Sequence, residues 1–291
     1  MTRRALVCAL LVLSLLTVAR SASAQLLAAK DGPVAYGHHH LNVTNIEEQK
    51  KFFVNALGGT AIKVGANNIE IVRFPNVLIF FRQQAPTGGS KGSTANHIGF
   101  SVPNMREVVT RIKAGGFKMV TQAEAPAGRE IKDDIALSPQ PGGPGIAFAM
   151  GPDDVKVELV EARQQAAPIQ LHHIHFFSQK NVEMQQWYMK TFGAKPRAAN
   201  PGAVFVTADL PGVALNFTPT TDAVAGTQGR AVDHIGFEVK NLEAFTKKLE
   251  ADGIKLDRPY TKVAALDIAI AFIKDPWGTY IELTDGLDKI K

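Results

Sequence analysis

Eight histidines occur in this 291-residue chain, and their placement suggests chemistry. They are His38, His39, His40, His97, His172, His173, His175 and His234. All fall in four short stretches that read as strands. Strand side chains alternate between faces, so His38 and His40 share a face that His39 does not. His173 and His175 likewise share one that excludes His172. Two further runs, Val157-Glu158-Leu159 and Ile281-Glu282-Leu283, each set one acid between aliphatic neighbours. A carboxylate on such a strand is costly to bury unless it is paired or bound to a metal. Two imidazoles and one carboxylate form the facial arrangement that holds a divalent metal and leaves positions open. Iron, manganese, zinc or nickel suit those donors.

Taken singly, each of these residues has a plainer reading. A strand histidine is commonly half-buried and hydrogen-bonded to a neighbour, and Glu158 or Glu282 could face solvent on an edge strand. Repetition of the pattern is what argues for at least one metal site. Aligning the stretches by their apolar residues sets His38 opposite His97 and His173 opposite His234. Beside these candidate ligands, His40 and His175 share the same face. A histidine next to a metal could be a general acid–base, since its pKa lies near neutrality. The alternative is that each packs on a pocket wall. His39 and His172, on the other face, read as structural or solvent-facing.

The elements that must position these residues repeat as well. Asn96-His97-Ile98-Gly99-Phe100 matches Asp233-His234-Ile235-Gly236-Phe237, and each is followed by a segment of helical period. Those segments, 106–114 and 243–251, stop before Gly116 and Gly253, which stand as helix C-terminal signals. Upstream, His38-His39-His40 and His172-His173-Ile174-His175 precede helices ending near Gly58 and Gly193. Strand-like runs follow each, with turns at Asn76 and at Pro211-Gly212. The pattern of strand, helix and about three strands thus occurs four times, predicting an α+β fold. Its domains are expected at 34–162 and 168–291, two modules each, with the stretch 162–168 between them. Residues 86–94 and 218–230 read as linkers, and the Gly- and Pro-rich 138–145 as a surface loop at a pocket mouth.

Residues 1–24 stand apart. Arg3 and Arg4 precede an apolar run from Ala5 to Val18, and Ala22-Ser23-Ala24 follows. This is the pattern of a secretory signal peptide, placing the protein in the periplasm or outside the cell. The run is short for a bilayer span, and no other stretch is long and apolar enough for one. Cleavage after Ala24 would remove Arg3, Arg4 and Arg20 with no acid, taking the net charge from +5 to +2. The basic balance therefore implies no nucleic-acid partner. Cys8, the sole cysteine, would leave too, and with it any disulfide or thiolate ligand. A hydrophobic fraction of 45% leaves stability to a packed core.

On these residues the chain resembles the vicinal oxygen chelate superfamily, which includes glyoxalase I, extradiol dioxygenases and bleomycin-resistance proteins. The matching pieces are His-Ile-Gly-Phe at two module starts, the Trp187-Tyr188 to Gly193 helix end, and Asp275-Pro276-Trp277-Gly278 running into Ile281-Glu282-Leu283. The resemblance implies paired βαβββ modules curling into half-open barrels around a metal. By matching position it makes His173, His234 and Glu282 the ligands in one barrel, and His38, His97 and Glu158 those in the other. It also implies a small substrate bound through two neighbouring oxygens, with the metal as Lewis acid. Two departures stand out. Phe272 occupies the place where extradiol dioxygenases carry a tyrosine, and residues 262–271 hold no histidine, which argues against ring cleavage unless His175 substitutes. Residues 77–82 and 213–217 hold no glutamate to serve as the fourth ligand of glyoxalase I.

The sequence therefore predicts an exported metal-dependent enzyme, glyoxalase-like or dioxygenase-like, with metal ligands His173, His234, Glu282, His38, His97 and Glu158. His175 and His40 are its candidate acid–base groups. The competing reading is a non-catalytic binder of the bleomycin-resistance kind, and a third leaves only one half active. Assembly into an oligomer is left open.

Overall fold

The computed structural model describes residues 33–198 and 204–290. The expected signal segment, residues 1–24, lies outside them. Four modules form, each opening with a strand and a helix, and the second carries more elements than the expected three strands. The first comprises β1 (Val34–Val43), α1 (Ile46–Lys50, continuing as a π-helix over Lys51–Ala56), β2 (Thr60–Val64), β3 (Ile69–Phe74) and β4 (Val77–Gln83). The second opens with β5 (Ala95–Val102) and α2 (Met105–Ala114). It is longer, with β6 (Lys118–Met119), α3 (Thr121–Glu124), β7 (Ile131–Lys132), β8 (Ile135–Ala136), β9 (Ile146–Met150) and β10 (Lys156–Glu161). The third holds β11 (Gln170–Ser178), α4 (Asn181–Phe192), β12 (Lys195–Arg197), β13 (Val206–Leu210) and β14 (Val213–Pro219). The fourth holds β15 (Val232–Val239), α5 (Leu242–Ala251), β16 (Leu256–Val263), β17 (Ile268–Lys274) and β18 (Tyr280–Asp285).

Local chemistry sets the helix limits. Asn45, Asn104 and Asn241 each accept a hydrogen bond from a first-turn amide with the side-chain oxygen, capping α1, α2 and α5. Past the other ends, Gly116 and Gly253 take φ of 79° and 80°, a left-handed conformation that suits glycine.

The strand pairing departs from the order of the chain. One sheet runs β16-β17-β18-β15-β1-β4-β3-β2 and the other β12-β13-β14-β11-β5-β10-β9-β8-β7, with β6 on β9. The first module therefore shares a sheet with the fourth, and the second with the third. At each centre two opening strands meet antiparallel, β1 with β15 and β11 with β5. The linkers carry the chain from sheet to sheet and bind each other. Thr87 N donates to Gly229 O (2.8 Å), Thr94 N to Ala225 O (2.9 Å), and Ala231 N to Gly88 O (2.9 Å).

A shared core lies between the sheets and joins all four modules. Phe74 of β3 meets Phe100 of β5 at 4.7 Å between ring centroids, and Phe192 of α4 meets Phe237 of β15 at 4.6 Å. Tyr188, fully buried, donates its hydroxyl to Asp275 Oδ2 at 3.0 Å, tying α4 to the turn before β18. Asp275 Oδ1 accepts from the amides of Trp277 and Thr279, so this buried carboxylate organises the whole Asp-Pro-Trp-Gly turn.

Candidate metal centres

Both central strand pairs carry the same device. In β1 against β15, His38 pairs with Gly236, His39 with Ile235, and His40 with His234. In β11 against β5, His173 pairs with Gly99, Ile174 with Ile98, and His175 with His97. The register slips just before His38 and just before His173, at Gly37 and His172. Such an extra residue bends a strand and re-aims the side chain beyond it. Each re-aimed ring lies over the glycine opposite. A Cβ on Gly236 would stand 2.0–2.5 Å from the His38 ring, and one on Gly99 2.1–2.6 Å from that of His173. The glycine of His-Ile-Gly-Phe is thus the cradle for a histidine contributed by another module.

The candidate ligands consequently group differently from the sequence expectation. His38, His234 and Glu282 form one cluster, and His97, Glu158, His173 and His175 the other, with ligand atoms in each set mutually within 4.8 Å. His38 was expected beside His97, and His173 beside His234. Pairing across modules exchanges them, because β1 and β5 lie in different sheets. All six expected ligands still occupy the clusters, now as one set from modules one and four and another from two and three.

In the first cluster, His38 Nε2 and His234 Nε2 both lie 2.9 Å from Glu282 Oε2. His234 Nδ1 lies 2.6 Å from Asp233 Oδ1. Asp233 Oδ2 in turn accepts from Asn42 Nδ2 (2.9 Å) and from the Gly229 amide (2.7 Å). His234 is thus flanked by carboxylates at both nitrogens, and three buried acceptors or donors converge on one point. Burial opposes a charge on His234, yet Asp233 and Glu282 together raise its pKa above the ordinary value. Burial would raise that of Glu282, but the His38 and His234 rings hold it low. With Asp233 held against Nδ1, Nε2 is the nitrogen that faces Glu282 and that would ligate a cation. This is the carboxylate–imidazole support usual for a metal-bound histidine. The donor set fits a divalent ion.

The second cluster repeats this with altered support. His97 Nε2 and His173 Nε2 lie 2.9 and 3.1 Å from Glu158 Oε2. Behind His97, however, Asn96 Oδ1 takes the place of the aspartate, 3.0 Å from Nδ1. Without that charge, burial pushes the pKa of His97 down to about 4. Thus the residue immediately before the matched histidines distinguishes the two clusters. Asp233 and Asn96 stand in the aligned segments, but no local rule marks either as a partner of the histidine that follows it.

The remaining histidines divide by position. His40 lies beside His234 at 4.6 Å between centroids and stacks on Phe80. Burial drives its pKa well below the ordinary value. His39 is fully buried on the other face, with Nδ1 2.9 Å from the Tyr36 hydroxyl. His172 sits at the strand irregularity, so its Nδ1 reaches His173 Nδ1 at 2.8 Å. It therefore does not simply oppose His173.

A cavity of about 330 Å³ opens over the first cluster, with His38, His40, His234 and Glu282 in its lining. Its walls include Phe80, Phe272, Ile268 and Ile270, and it also meets Arg82 and Arg258. Phe272 pairs with Glu282 across β17–β18 and sets its ring edge-on to His234 at 5.3 Å. A larger groove of about 1170 Å³ follows residues 161–168 but meets neither cluster, so size does not identify the site. The 138–145 loop borders another groove, also away from the ligands.

Opening strands joined two by two, each pair flanked by the other strands of its modules and holding two imidazoles and a carboxylate, define the vicinal oxygen chelate fold. A family model, the Glyoxalase/Bleomycin resistance protein/Dioxygenase superfamily, matches residues 170–283. That segment matches the superfamily's model, and the fold extends over the rest of the described chain. Glyoxalase I from Zea mays superimposes with a TM-score of 0.65 at 16% identity, over 88% of this chain and 94% of that one. A provisionally assigned dioxygenase from Bacillus subtilis gives 0.63 at 12% identity, over 86% of this chain and 84% of its own. At such identities the likeness is one of fold. No curated protein matches the sequence.

Proposed function

We propose that the first cluster is the catalytic centre of a metal-dependent enzyme for a small metabolite carrying two adjacent oxygens. The observation that supports this is the His38–His234–Glu282 set beneath a cavity with largely apolar walls. A bound ion would supply Lewis acidity to the substrate oxygens. His38, His234 and Glu282 hold it, and Asp233 fixes the orientation of the His234 ring. Phe80, Phe272 and the aliphatic wall would set the reacting atoms against an apolar surface. His40, in the cavity lining beside His234, is the group placed to accept a proton from the substrate. Phe272 offers no hydroxyl beside the ligands, which favours isomerase or lyase chemistry over ring cleavage. We also propose export through residues 1–24, so that the mature chain begins at Gln25.

Metal analysis with turnover assays tests this reading. Protein purified without added metal is expected to carry iron, manganese, zinc or nickel. Protein stripped by chelator is expected to gain melting temperature when one is restored. H234A should abolish turnover of 2-hydroxycarbonyl compounds. No metal, and no thermal response to any of those ions, would overturn it in favour of a binding protein whose apolar cavity sequesters a compound unchanged. N-terminal sequencing of exported protein checks the cleavage point.

A further inference from the structure

We infer that the second cluster is a closed, four-donor metal centre in which His175 joins His97, Glu158 and His173, holding an ion for structure while the first site keeps open positions. The inference rests on the metal-binding reading of the fold, but its outcome is separable from catalysis at the first site. Four potential ligand atoms lie within 4.8 Å of one another here, against three in the other cluster. His175 is only 9% exposed. Its Nε2 lies 2.6 Å from Thr218 Oγ1, while its Nδ1 is buried with no hydrogen-bond partner among the described residues. A buried ring nitrogen left unsatisfied is costly, and a cation would satisfy it. The ring centroid lies 4.6 Å from that of His97 and 5.5 Å from that of His173.

The difference between the clusters follows from three register positions. On β14, Ala214, Asn216 and Thr218 pair with His173, His175 and Phe177. On β4 the same places hold Leu78, Phe80 and Arg82, paired with His38, His40 and Asn42. His175 therefore meets a hydroxyl that fixes its ring. His40, its counterpart, instead stacks on Phe80 with planes 20° apart and stays outside the three-donor set. Aromatic rings flank the second cluster as they do the first: Phe148 lies 5.8 Å from His97, and Phe205 and Phe177 lie 5.2 and 5.4 Å from His175. Nearby, the buried ammonium of Lys156 is matched by Glu124 at 2.9 Å. Three neutral imidazoles and one carboxylate suit zinc or cobalt in a four-coordinate site, the closed state typical of structural rather than catalytic centres.

Cobalt spectroscopy on the full protein provides the test. With the first site disabled by H38A, the remaining Co2+ should give the intense visible bands of four-coordinate cobalt. H38A/H175A, and the gentler H38A/H175Q, should convert these to the weak bands of a site filled out by water. H38A/T218V should keep the bands but bind cobalt roughly 10–100-fold more weakly, the usual effect of losing a partner that orients a ligand. Circular dichroism verifies folding of each variant. Weak bands in H38A that are indifferent to His175 would overturn the inference. So would H38A binding no cobalt while wild type binds one equivalent, a result that leaves the first site standing. Wild-type protein that binds none would overturn both readings.

Discussion

The ring of His38 lies across the α-carbon of Gly236, in space that any Cβ would fill to within 2.0 Å of a ring atom. The relation joins the first module to the fourth, and His173 over Gly99 reproduces it between the third and second. Neither glycine adopts positive φ, so the need is for space and not for backbone freedom. Gly236→Ala should displace His38 and remove metal from the first cluster alone, and Gly99→Ala from the second alone. Metal content per chain is expected to fall by about one equivalent in each, as expected for one ion per ligand set. Full metal content in G236A would show that the cradle does not position the ligand.

Asp233 supports His234 through a 2.6 Å contact and is itself held by Asn42 and Gly229. Asp233→Asn makes the first cluster resemble the second, where Asn96 stands behind His97. Measured in an H97A background to silence the second cluster, its metal affinity should drop roughly 10–100-fold. An unchanged affinity would mean that the carboxylate serves only the Gly229 turn.

Asp275 predicts a pH effect on stability remote from either cluster. Burial raises its pKa from 3.8 to about 6, against hydrogen bonds from Thr279, Tyr188 and Trp277 that favour the carboxylate. A carboxyl that binds its proton more tightly when folded stabilises the fold below pH 3.8, and that contribution disappears as pH rises to about 6. Asp275→Asn keeps an acceptor for both backbone amides, while the Tyr188 hydroxyl can turn to accept from the new amide group. Urea unfolding of the variant should lose this component between pH 4 and 6 and match or exceed wild type at pH 7. Marked destabilisation of D275N at pH 7 would mean that the charge itself holds the turn.

The modules, their helix ends and the six candidate ligands were legible because each rests on a local rule. Gly116 and Gly253 end helices, and strand alternation set His38 apart from His39. The grouping of ligands was not legible. It depends on which opening strands pair, and β1 is complementary to β15 and to β5 alike at the level of sequence, since both carry His-Ile-Gly-Phe. The relation of glycine to histidine is visible as a pattern, but with the wrong partners. Alignment matches Gly99 to His40 and Gly236 to His175, whereas the register slips at His172 and Gly37 bring Gly99 under His173 and Gly236 under His38. Thr218 was hidden by its place at the start of a linker, where no local rule marks it as a partner for His175.

Metal content of two double variants tests the exchange of modules most directly. H38A/H234A removes two ligands from one cluster and should retain about one equivalent, whereas H38A/H97A damages both and should retain almost none. The converse, one equivalent kept by H38A/H97A and none by H38A/H234A, would mean that each half of the chain closes its own site and would contradict the pairing of the first module with the fourth.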